Sequence, residues 1–257
     1  MDNIKRTALA ALFCCNSIIA GAWGQTGHRT VAQIAQNHLT KKAKKKIAKI
    51  MGHESLVEAS TWMDNIKSDE AYDHTHSWHY VTVPDGQDYA SSEKNEGGDA
   101  YECIQRMMET LKDESKSATE KRDALRMLVH VVGDFHQPLH VGKGDDRGGN
   151  DVKIKWFYSS SNLHSIWDSK MIDSKNFSYS ELALMIDHPS NEDEQKMTST
   201  ELNVWVSEAQ ALRTQIYDIG EKDYLSYEYS YKNWPTVKEQ LYKGGRRLAA
   251  ILNELFS

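Results

Sequence analysis

The segment His130-Val-Val-Gly-Asp134-Phe-His-Gln-Pro-Leu-His140 constrains this chain more than any other. Leu125, Leu128, Val129 and Val132 recur at helical spacing over Thr119 to Phe135, and that helix must end near Pro138. His130 and Asp134 are four apart, so one helix face presents both side chains together. His164 and Asp168 repeat the device, and His140 follows the proline, where the chain turns. One His–Asp pair at this spacing is more often a surface or capped pair than a ligand set. Two copies plus His140 reverse that reading. Imidazole with carboxylate is a donor set that suits zinc better than calcium or copper. Asp64, His79 and His28 would be unremarkable alone. His38, His53, His74, His76 and His188 are given ordinary roles, and His136 is a candidate for orienting a ligand.

Helix is the dominant pattern elsewhere. His28 to Ile50 reads as two helical stretches, and Ala100 to Leu111, Glu201 to Ile219 and Thr236 to Phe256 as further amphipathic runs. Strand signals are confined to His79 to Val83 and Val152 to Tyr158. Segments 91–98, 142–150 and 189–194 read as loops. The expected fold class is all-α: one mainly α-helical domain with one or two short β-hairpins.

Residues 1–22 have the form of a signal peptide. Lys5 and Arg6 precede an apolar run from Thr7 to Ile19, and Ala20-Gly21-Ala22 is a small-residue cleavage site. The run is too short to span a bilayer. The expected domain is therefore 23–257, exported to the periplasm or secreted. Cleavage removes Cys14 and Cys15 and leaves Cys103 alone, a small buried side chain that cannot form an internal disulfide. Bound metal would then brace the fold. The net charge of −6 counts against a duplex-binding module, which needs a basic footprint.

Four pieces carry a family resemblance: Trp23-Gly24-Gln25-Thr26-Gly27-His28, the Gly-Asp-Phe-His-Gln-Pro-Leu-His block, Asp146-Arg147-Gly148-Gly149-Asn150, and Asn162-Leu163-His164-Ser-Ile-Trp167-Asp168. With these the chain resembles the S1/P1 nucleases, zinc-dependent enzymes that prefer single-stranded nucleic acid. The resemblance implies a helical phospholipase C/nuclease-type fold holding three zinc ions (Zn2+). It implies that Asp64, His79, His130 and Asp134 bind the first and that His140, His164 and Asp168 bind the second. The third would take the Trp23 amino group and carbonyl oxygen, His28 and the other oxygen of Asp134. An α-amine is a ligand only when free, which makes processing before Trp23 part of the chemistry.

The resemblance further implies endonucleolytic cleavage of single-stranded DNA and RNA to 5′-phosphorylated products, with removal of 3′-terminal phosphate from nucleotides. Asp64 and Lys67 are the catalytic candidates, Lys67 contacting the phosphate. Alone, Lys67 would be a solvated surface charge; its place three residues after Asp64 gives it a role. Asn150 matches a nucleobase-binding position and also suits a turn. Tyr80 matches a base-stacking aromatic, with a core position on the strand as the competing reading. Some fungal members carry a base-contacting aspartate just beyond it, where this chain has Val81 and Thr82. A monomer with no stable protein partner and no membrane association is expected. The rival enzyme is a zinc-dependent phospholipase C, which tends to use Glu at the position of Asp168 and lacks the Arg-Gly-Gly-Asn element. A non-enzymatic zinc-binding protein is the alternative of a different class.

Overall fold

The computed structural model describes residues 23–188 and 194–257. The expected signal peptide lies outside the described residues, as do residues 189–193 of the last expected loop. In chain order the helices are α1 (Gln25–Asn37), α2 (Lys41–Met51), α3 (Leu56–Ala59), α4 (Trp62–Asn65), α5 (Ala100–Lys112), α6 (Ala118–Phe135), α7 (Leu163–Ser165), α8 (Met171–Asp173), α9 (Tyr179–Ile186), α10 (Glu194–Met197), α11 (Leu202–Ile216) and α12 (Tyr227–Leu255). The strands are β1 (Val81–Thr82), β2 (Val141–Gly142), β3 (Lys153–Trp156), β4 (Ser159–Asn162) and β5 (Tyr224–Leu225). The mainly helical fold expected is the one observed.

Helix α6 starts on a capping box: Ser117 Oγ accepts from the Glu120 amide, and Glu120 accepts from the Ser117 amide. Beyond the first two turns it is buried almost throughout, with Leu125, Leu128 and Val132 fully enclosed. Each such side chain contributes about 1.5–3 kcal/mol on burial, so the helix that carries His130 and Asp134 is held in the core. Helices α1, α5 and α12 pack around it. A β-carbon at Gly245 of α12 would stand 2.5 Å from Ile34 Cβ, so this glycine sets how closely α1 and α12 approach. Cys103 is buried as expected, and burial pushes its thiol up.

Three expectations need correction. The strand expected over His79 to Val83 shrinks to Val81–Thr82, which pairs in parallel with Val141–Gly142 and forms no hairpin. His79 instead ends a 3-10 helix over Glu70–His79, and its carbonyl accepts from the His140 ring. The strand expected over Val152 to Tyr158 shortens to Lys153–Trp156; it forms the hairpin β3–β4 and also pairs in parallel with β5. Helix α12 begins at Tyr227 and not after Pro235. A proline removes one amide and crowds the carbonyl four residues earlier. That residue is Tyr231, which is 86% exposed, so water can take the freed carbonyl.

Candidate metal centre and cleft

Three groups of side chains converge. His28, His130 and Asp134 form one, Asp64, His79 and His130 a second, and His140, His164 and Asp168 a third; within each, the ligand atoms lie within 4.8 Å of one another. Residues far apart in sequence meet because α6 is central. Its His130 ring stacks on His28 of α1 at 4.0 Å and meets His79 edge-on at 4.9 Å. Gly133 makes this possible: a β-carbon there would stand 2.8 Å from His28 Nδ1.

Asp134 joins the first two groups. Its Oδ1 lies 3.2 Å from His28 Nε2, while Oδ2 lies 2.9 Å from His79 Nδ1 and 3.2 Å from His130 Nε2. In the third group His164 Nε2 is 3.1 Å and His140 Nε2 3.6 Å from the Asp168 carboxylate. The rings are anchored from behind. The Nδ1–H groups of His130, His140 and His164 donate to the carbonyls of Ser60, His79 and Gly148 at 2.7, 2.6 and 2.7 Å. That tautomer leaves each Nε2 lone pair pointing into the group, the usual arrangement behind a metal-bound imidazole. His28 Nε2, His79 Nε2, His140 Nε2 and Asp134 Oδ1 are buried and make no hydrogen bond of their own. Buried polar atoms rarely go unmatched, and of these His28 Nε2 and Asp134 Oδ1 face each other at 3.2 Å, while His140 Nε2 turns toward Asp168. The donor set fits a metal.

The electrostatics agree. Burial alone would push the Asp134 carboxyl up, yet His130 above all, with hydrogen bonds from His28 and His79, holds it well below the usual range. Burial also opposes ionisation of Asp64, but His130, His28 and Lys67 outweigh it and hold it at about 2. Burial lowers His79 to about 4 and, with the neighbouring His130, lowers His28. His130 is raised against burial by Asp134 and Asp64, and His140 is raised to about 9 against burial by Asp168 and Asp134. Ionised carboxylates thus draw positive charge inward, and a divalent cation supplies that charge without protonating a ligand.

A cleft of about 620 Å³ opens onto the centre, lined by His79, His140 and His164 together with Lys67, Tyr80 and Asn150. Lys67 Nζ is 2.6 Å from Asp64 Oδ1. Tyr80 is 43% exposed in this cleft, so the core reading of that ring is not the one observed. Asn150 donates to the Arg147 carbonyl at 3.0 Å, bracing the turn while lining the cleft. Trp23 is fully buried, and the next amide, Gly24, donates to the Asp168 carbonyl at 2.7 Å, which ties this end of the chain to the helical segment Ile166–Lys170 that bears Asp168.

His136 does not orient a ligand. Its Nδ1 faces the Val132 carbonyl and its Nε2 the buried Arg247, on the side of α6 away from the centre. Gln137 takes that part: its Nε2 donates to Asp168 Oδ1 at 2.6 Å, and its Oε1 accepts from the Leu139 amide at 2.7 Å. No periodic signal marks Gln137, because α6 ends at Phe135 and Gln137 is extended outside it. His76, given an ordinary role, lines the cleft. We expect Gln137→Leu to weaken metal retention roughly 10–100-fold, measured by titration against a chelator of known affinity. Unchanged retention would remove Gln137 from this role.

A family described as S1/P1 Nuclease matches residues 23–257. The chain belongs to the S1/P1 nuclease family. Endonuclease 2 of Arabidopsis thaliana is 31% identical, covering 91% of this chain and 90% of its own length. Endonuclease 4 of the same plant is 30% identical over 100% of this chain and 97% of its own. Nuclease S1 of Aspergillus oryzae is 29% identical, with 91% and 92% covered. As an S1/P1 nuclease the protein is a hydrolase acting on nucleic acid, and the phospholipase reading gives way to it.

Proposed function

We propose that this S1/P1 nuclease is a zinc-dependent endonuclease that cleaves single-stranded DNA and RNA to 5′-phosphorylated products and removes 3′-terminal phosphate from nucleotides. The observation that carries the reading is the buried Asp134 carboxylate, which faces His28 with one oxygen and His79 and His130 with the other beside an open cleft. Three zinc ions would be held: one by Asp64, His79, His130 and Asp134, one by His140, His164 and Asp168, and one by Trp23, His28 and Asp134. Bound zinc supplies Lewis acidity, bringing the pKa of water to about 7 and offsetting charge on the phosphoryl oxygens.

The chain's own groups do the rest. Asp64 holds Lys67 at 2.6 Å, so the ammonium is aimed before substrate arrives. Lys67 neutralises charge that grows on the phosphate as the bond to O3′ breaks. Tyr80 offers a ring to an unpaired base, which favours single strands because a paired base has no free face. Asn150 offers its amide to a base edge. The Trp23 ligand requires removal of residues 1–22, and the Lys5-Arg6 pair, the apolar run and Ala20-Gly21-Ala22 are the features that suit such processing and export to the periplasm or beyond. The enzyme acts as a monomer.

Lys67→Ala tests the reading. On single-stranded DNA its kcat should fall about 10²- to 10³-fold, with zinc content unchanged and Lys67→Arg recovering part of the rate. Full turnover in the alanine variant would remove this mechanism.

A further inference from the structure

Helix α2 carries Lys41, Lys42, Lys44, Lys45, Lys46 and Lys49, in a chain with 37 acidic and 31 basic residues. All six side chains are exposed, while Ala43, Ile47 and Met51 turn inward. Lys46 Nζ lies 3.0 Å from the Ser257 main-chain oxygen, and among the described residues none of the other five lies in an ion pair. Several lysines elsewhere lie in ion pairs, among them Lys116 with Glu120, Lys155 with Asp223 and Lys243 with Glu239.

This arrangement opposes helix formation twice. Lys41 and Lys45, Lys42 and Lys46, and Lys45 and Lys49 are like charges four residues apart. Lys41, Lys42 and Lys44 also load the helix N-terminus with positive charge, where the dipole favours negative, and no acidic residue stands in that first turn. A polyanion laid along the helix relieves both.

We infer that the lysine ridge of α2 is a docking surface for the part of a polynucleotide strand that lies beyond the cleft. The choice of occupant rests on the nuclease reading above. Position supports it. Arg122 Nε donates to the Ile50 carbonyl at 3.1 Å, so the C-terminal end of α2 abuts α6. His130 lies eight residues further along α6, about 12 Å at the helical rise per residue. Between them Arg126 covers the Trp62 ring at 4.9 Å, and Trp62 is two residues before Asp64. Lys49 stands one residue before Ile50 and Lys41 nine, so only a long strand could span both cleft and ridge, whereas a dinucleotide would occupy the cleft alone. A lipid bilayer fits less well: the exposed face of α2 offers lysines and Ala48, with no leucine or aromatic ring to enter a headgroup layer.

The test compares wild type with the triple variant Lys41→Gln, Lys45→Gln, Lys49→Gln, which strips one stripe and keeps helix propensity. One arm measures KM for long single-stranded DNA beside kcat/KM for a dinucleotide. The other measures binding of a cleavage-resistant phosphorothioate oligothymidylate of roughly thirty nucleotides across salt concentrations. The variant's KM for the long strand should rise about tenfold with dinucleotide turnover unchanged, which also reports an intact fold. The slope of log affinity against log salt should become shallower by about 2, at ~0.7 per lost phosphate contact. Equal KM and equal binding would overturn the inference. Vesicles of phosphatidylglycerol and phosphatidylcholine that sediment wild type but not the variant, with oligonucleotide affinity unchanged, would overturn it in favour of lipid. If wild type hydrolyses no nucleic acid, the nuclease reading falls, and the binding arm still decides the ridge.

Discussion

Asp134→Ala should abolish hydrolysis of single-stranded DNA, with a loss of at least ~10⁴-fold, because groups that act as one unit fail together. One carboxylate faces three imidazoles: Oδ1 is 3.2 Å from His28, and Oδ2 is 2.9 Å from His79 and 3.2 Å from His130. Its removal takes a ligand from two proposed ions at once. It also removes the negative charge that would offset those cations in a fully buried site. Breaking a buried pair from one side destabilises by roughly 3–5 kcal/mol, so the melting temperature should fall along with zinc content. Asp134→Asn separates the two effects. It keeps shape and one oxygen acceptor but not the charge, so it should fold better than the alanine variant and still lose metal. An asparagine variant with full zinc content and full rate would show that Asp134 does not join two ions.

One extra residue ahead of Trp23 should remove one zinc ion and slow cleavage about 10²- to 10³-fold, the scale expected for losing one electrostatic contributor to the transition state. Trp23 is fully buried, and Gly24 is fixed to the Asp168 carbonyl at 2.7 Å. A β-carbon at Gly27 would stand 3.0 Å from Trp23 Cβ, so the first turn of α1 already touches this residue. An added residue converts the amine into an amide, which has no lone pair to give, in a place with little room to rearrange. Zinc content by elemental analysis and rate, measured on the same sample, check this. Unchanged values in both would contradict the amino-terminal ligand.

What could be read from sequence follows from how local each signal is. Helix α6 was legible because its apolar residues recur at helical spacing and its His–Asp pair lies within one turn. The same holds for α5 and for most of α1 and α2. The 3-10 stretch that delivers His79 was not. It is mostly polar and is shaped by local contacts such as Asp69 accepting from the Ala71 amide and Thr75 donating to the Tyr72 carbonyl, which leave no periodicity. The β1–β2 pairing joins Val81 to Val141 over two residues, too short to alternate and too distant to anticipate. In the site, the residues proposed as ligands came from spacing and family resemblance together, and the structure brings the histidines and carboxylates into neighbouring groups. His136 was misjudged because residue type was weighed above position: it caps α6, where its ring meets Arg247, and the extended Gln137 after it reaches Asp168.

The most direct measurement is zinc stoichiometry on protein beginning at Trp23, combined with the rate of single-stranded DNA cleavage before and after chelation. The account predicts three zinc ions per chain, loss of cleavage and a lower melting temperature on chelation, and recovery of both when zinc is returned. Metal-free protein that cleaves at an undiminished rate would contradict it.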